Sequence, residues 1–161
     1  MGRLMKRVIK SSVVAATTAL ISNVLNLSET KVGKILGIAI PMITFFTADD
    51  PSISNLLFED SKKRKKGDRM TPEEGEKEFF NVFGDKGRWM SKSIAKMTDS
   101  TEEDVNGVLG MTMSVMETGL SGWIREDDVD EEEFNRRFKE EAEEDEKRDP
   151  SLFKMMRKAI F

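Results

Sequence analysis

The chain contains no cysteine, no histidine and no tyrosine among its 161 residues. Without cysteine there is no disulfide, no thiolate nucleophile and no sulfur-ligated metal. Without histidine every Ser-His and Cys-His relay is excluded, along with the commonest metal ligand. Chemistry is left to carboxylates, Lys, Ser, Thr and the backbone. Long apolar runs are also lacking: the longest, Ile35 to Phe46, is twelve residues, where a membrane span needs about 20. It reads as a buried core helix. Arg3, Lys6, Arg7 and Lys10 precede Val13-Val14-Ala15-Ala16 in the manner of a secretory signal. Thr17, Thr18, Ser22, Asn23 and Asn26 dilute the apolar stretch beyond, and no small-residue cleavage site appears. A first helix with a basic face fits better, and the expected location is cytoplasmic.

Charge is abundant, and its near balance is deceptive. The net charge is −4, from 26 basic and 30 acidic residues. Residues 1–50 carry +3, 51–75 carry +1, 76–125 carry −2 and the last twelve carry +3, while 126–149 alone carry −9. One acidic segment thus sets the sign of the whole, and electrostatics has to be argued by segment.

An internal repeat appears at an offset of 73 residues. Residues 21–43 align without a gap on 94–116, with Ile21 on Ile94, Glu29 on Glu102, Val32 on Val105, Leu36 on Leu109 and Gly37 on Gly110. Ser28 on Thr101, Ile35 on Val108, Ile40 on Met113 and Ile43 on Met116 are like-for-like pairs. Val32, Ile35, Leu36, Ala39, Ile40 and Ile43 have the i, i+3, i+4, i+7 spacing of one helix face, as do Val105, Val108, Leu109, Met113 and Met116. Ser28 and Thr101 suit N-cap positions, and Glu29 and Glu102 then lie at the positive end of each helix dipole. Ile38, Met42, Phe45 and Phe46 make the first copy apolar all round, which predicts a central, enclosed helix. Glycine inside a helix costs about 1 kcal/mol against alanine, so Gly37 and Gly110 both predict a close approach by another helix. Pro41 predicts a kink in the first copy.

Flanking segments are helical too. Residues 3–26 read as one helix, interrupted near Ser11-Ser12. Thr71-Pro72-Glu73-Glu74 is a capping-box start with Pro in the first turn. The helix it opens, with Phe79, Phe80, Val82 and Phe83, is expected to end at Gly84 to Gly87, with another from Arg88 to Thr98. The acidic segment reads as a solvated helix touching the core only through Phe134 and Phe138, and Pro150 breaks it. Ser151 then caps a short basic helix with Leu152, Phe153, Met155, Met156, Ile160 and Phe161, expected to pack on its own domain. No stretch alternates with period two. The expected class is all-α: a repeat at 1–60, a basic linker at 61–70, a second repeat at 71–125 and a charged extension at 126–161.

The pattern Ile21-Ser22-x-x-Leu25-x-Leu27-Ser28-x-x-x-Val32-x-x-Ile35-Leu36-x-x-Ala39-Ile40-Pro41-x-Ile43 resembles the repeat of the YidB-like bacterial family. That resemblance implies a small all-helical domain in which a short turn leads into an apolar helix bearing a proline. The second copy departs from it at Ser100 and Ser114. The family has no assigned function, so the resemblance implies no catalytic or binding residues.

Few patterns suggest chemistry. Ser93-Ile94-Ala95-Lys96 matches the S-x-x-K of serine acyl-enzymes but has no partner motif, and reads as a helix surface. Carboxylates such as Asp130 to Glu133 share one wet environment, whereas catalytic pairs need environments that drive their pKa values apart; the order of an EF-hand loop is missing. Neither an enzyme nor a cofactor is expected. Lys62, Lys63, Arg64, Lys65, Lys66 and Arg69 form the best candidate site, for a protein partner, or for phosphates or anionic headgroups. No aromatic residue lies among them to stack bases. The expected function is a non-catalytic interaction or scaffold protein, with peripheral binding to nucleic acid or anionic membrane as the alternative. Self-association stays open.

Overall fold

A computed structural model describes residues 3–9 and 14–161. These residues form eight helices: α1 (Arg3–Ile9), α2 (Val14–Leu25), α3 (Glu29–Asp49), α4 (Pro51–Lys63), α5 (Pro72–Thr98), α6 (Glu102–Asp127), α7 (Glu131–Arg148) and α8 (Pro150–Lys158). No strand occurs among the described residues, so the class is all-α as the periodicity predicts. The expected interruption near Ser11-Ser12 lies outside them.

Local signals place most helix starts. The Ser28 and Thr101 oxygens accept from the amides of Lys31 and Asp104, each at 3.1 Å. Thr71 and Glu74 close the reciprocal capping box. The last helix differs from expectation. Asp149, not Ser151, is its cap, accepting from the Leu152 amide, because Pro150 takes the first helical position and moves the boundary back.

The apolar helix α3 is enclosed. Eleven of its residues are buried, from Val32 to Thr47, and α2, α4, α5, α6, α7 and α8 all pack on it. By length and composition α3 is apolar enough to cross a membrane, yet most of it is buried within the fold. Helix α7 contributes Phe134 and Phe138, both fully buried, and touches α1 and α4 as well as α3. Helix α8 buries Leu152, Phe153 and Met156 and packs on α3 and α7, with Arg157 forked onto Glu146.

The glycines fare differently. The helical path of α5 breaks at Gly84 as expected, at φ 54° and ψ −129°, but the second helical stretch starts directly after it and not at Arg88. Glycine enters this region without a Cβ penalty. The close approach predicted at both Gly37 and Gly110 exists only at the second. A Cβ on Gly110 would lie 2.6 Å from the Glu76 amide nitrogen, and one on Gly75 would overlap the Gly110 carbonyl, so α5 and α6 touch backbone to backbone. Gly37 faces solvent with nothing nearby. The same substitution should therefore have opposite effects at the two sites. Gly110→Ala should lower stability by about 1–3 kcal/mol through overpacking. Gly37→Ala should raise it by up to about 1 kcal/mol through helix propensity. Urea unfolding of both variants checks the contrast; a gain at Gly110 would contradict the contact.

Candidate functional site

The basic run is not a free tether. Lys62 and Lys63 form the last turn of α4, where positive charge suits the helix dipole, and the Lys62 ammonium lies 5.7 Å from the Phe58 ring centre. Lys65, Lys66 and Arg69 are exposed on the loop joining α4 to α5. Arg64 departs from the expected outward set. As the C-cap of α4 it turns inward: Nε donates to Glu117 Oε1 at 2.9 Å, and the guanidinium also donates to Glu78 Oε2 at 3.2 Å and meets Met70 Sδ at 3.1 Å. Its carbonyl accepts from Ser121 Oγ at 2.8 Å and from Arg125 at 3.1 Å. One residue therefore joins α4, α5 and α6.

The acceptors are unusual. Glu117 is fully buried. Burial pushes its carboxyl above the ordinary range, and the Arg64 bond only partly counters this. Burial and the neighbouring Asp60 carboxyl, within hydrogen-bonding reach, push Glu78 up to about 7. Glu117 Oε2 and Glu78 Oε1 are buried and receive no donor, as is Ser61 Oγ. In the sequence both glutamates pass for ordinary surface charge. A signal was present for Glu117, which lies four residues after Met113 and three before Leu120, on the apolar stripe of α6.

A second buried acidic pair lies on α7. Glu141 accepts from the Leu4 amide, one of the unpaired donors at the start of α1. Asp145 pairs with Arg148 at 3.3 Å. Burial raises the pKa of both.

Beside the basic loop lies a groove of about 800 Å³ bounded by α1, α2, the loop and α6. Val24, Met111, Val115 and Trp123 line it, and Lys66 and Arg69 stand at its rim. Leu20 and Val24 at its edge are 46% and 48% exposed, large apolar side chains left uncovered. The structure thus brings Lys66 and Arg69 to the groove and sends Arg64 to the buried carboxylates; Lys62, Lys63 and Lys65 lie on neither. No protein family matches the chain, and neither a curated protein nor a solved structure is similar to it.

The buried charges set two expectations for stability. Arg64→Met leaves Glu117 uncompensated and should cost about 2–4 kcal/mol at pH 7, discounted because Arg64 is partly exposed. Arg64→Met/Glu117→Gln should recover part of that loss in a double-mutant cycle by chemical denaturation; strict additivity would refute the bridge. For Glu141 the folded pKa is raised above the unfolded one, so its contribution is complete in acid and is lost as pH rises through the folded value. Glu141→Gln, which keeps an acceptor for Leu4, should therefore gain on the native protein from pH 4 to pH 7. Melting temperatures at the two pH values check the sign, and a gain confined to acid would reverse it.

Proposed function

We propose that the chain is a non-catalytic, cytoplasmic interaction protein whose partner docks in the groove between α2, the 64–71 loop and α6. The observation that carries this reading is the juxtaposition of uncovered Leu20 and Val24 with an exposed basic edge. Scattered single apolar side chains are ordinary on a surface, but a concave apolar strip rimmed by charge is typical of a binding groove. With Arg64 withdrawn, Lys66 and Arg69 stand at the groove against Asp68 and Glu126, and the exposed Lys62, Lys63 and Lys65 beside it tip the balance to positive. That balance favours an acidic amphipathic segment of a partner protein, its apolar side chains in the groove and its carboxylates over the loop. The resemblance of residues 21–43 to the YidB-like repeat is compatible with this reading, since that family brings no catalytic residues.

The exposed cations favour a second reading, peripheral attachment to anionic membrane or nucleic acid. One experiment separates the two. A photo-crosslinking side chain at Leu20 or Val115 should capture one defined protein, whereas the same group at the exposed Glu143 should not. Lys66→Glu/Arg69→Glu should weaken capture about tenfold or more. Equal capture from all three positions, or a crosslink only between two copies of the chain, would remove the proposal. The second reading instead predicts binding to DNA or anionic vesicles that falls steeply with salt, with a slope of about −0.9 per phosphate contact on duplex DNA, and that ignores Leu20→Ser.

A further inference from the structure

We propose that Asp60, Glu78 and Glu117 form a binding site for a hard divalent cation of the Mg²⁺, Mn²⁺ or Ca²⁺ class. The site is independent of the groove and of what docks there. Three adjoining helices each supply one carboxylate: α4 gives Asp60, α5 gives Glu78 and α6 gives Glu117. One oxygen from each lies within 4.8 Å of the others. Oxygens sharing such a cation lie about 2.0–2.6 Å from it, hence up to roughly 4–5 Å apart, so the spacing fits one ion between them.

Acidic side chains often gather without holding an ion, and what distinguishes this group is the oxygens left over. Arg64 uses Oε1 of Glu117 and Oε2 of Glu78. The other oxygen of each carboxylate is buried and has no donor. For Glu117, fully enclosed between helices, bulk water cannot supply one. A buried, unsatisfied carboxylate oxygen is costly, and a cation held among the three carboxylates would supply a partner that the protein itself does not. Arg64 keeps its two bonds and holds the carboxylates in orientation, much as hydrogen-bonding neighbours orient metal ligands elsewhere.

Charge gives the same answer. A bound cation displaces protons from its ligands, and the three carboxylates once ionised leave two negative charges against one guanidinium, which one divalent cation neutralises. An all-oxygen set, in a chain with neither Cys nor His, suits hard cations rather than Zn²⁺ or Cu²⁺. Entry is from the side of Asp60 and Glu78, which are both partly exposed, and water from that side completes the coordination shell.

The test is titration calorimetry and thermal melting of the full chain, stripped with chelator, against CaCl₂, MgCl₂ and MnCl₂ in turn. One equivalent of at least one cation should bind and raise the melting temperature. Glu117→Gln should weaken that binding at least about tenfold, the loss expected when a ligand or its orientation is removed. Asp60→Asn, at the partly exposed rim, should do the same and keeps the test decisive if Glu117→Gln fails to fold. Glu131→Gln/Glu132→Gln, on the exposed start of α7, should change nothing. Silence toward all three salts up to about 10 mM, past the weak range of calcium-binding modules, would overturn the site. Binding that survives both ligand variants but drops in the α7 variant would overturn it too, as loose attraction to the acidic surface.

Discussion

A helix apolar on nearly every side has to be covered on nearly every side, and that constraint organises this protein. Helix α3 is such an element, with Ile35, Ala39, Met42, Ile43 and Phe46 essentially excluded from solvent. Covering it takes six other helices. Composition alone would place the acidic α7 furthest from an apolar centre, yet α7 is one of the principal covers. It meets the requirement with one stripe, Phe134 and Phe138, and leaves most of its carboxylates in water. Amphipathic spacing, not mean polarity, decides whether a helix can serve this way.

That same stripe explains the buried acids. Continuing from Phe134 and Phe138 at helical spacing, it reaches Glu141 and Asp145, which enter the interior because their positions face it. Glu117 does likewise on α6. Each such group is stabilised only by what its neighbours offer: the free amide of Leu4, the Arg148 side chain and the Arg64 guanidinium. Among the described residues the buried acids therefore gather in two places, one below α1 and one among α4, α5 and α6. Removing a single partner from such a centre costs more than the bond is worth, because the remaining charge stays buried.

What can be read from the chain depends on how local the cause is. Caps are local, so Ser28, Thr71 and Thr101 announced three helix starts. Strong apolar periodicity is nearly as direct, and it marked α3 as central. Tertiary context decided the rest. Gly37 and Gly110 are equivalent in the aligned sequences, but only one has a helix against it. Gly84 marked the break in α5, but where the next helical stretch begins was not legible, since it resumes at once and without a cap residue of its own. Within the basic run, nothing in composition separates Arg64 from Lys63 or Lys65. Its inward turn is set by its place as the C-cap of α4, opposite acids from two distant segments. Fork-shaped Arg, more weakly hydrated than Lys, is the side chain suited to that place.

Arg64 at one end and the capping box of Thr71 at the other fix both ends of the loop that holds Lys65, Lys66 and Arg69. A free polycation finds partners by reach, sweeping a volume and ordering itself late. This loop has almost no reach. Its charges start from fixed backbone positions, so a partner of the kind proposed would have to arrive already turned the right way. Recognition by such an edge spends little chain entropy and discriminates by orientation as much as by sign.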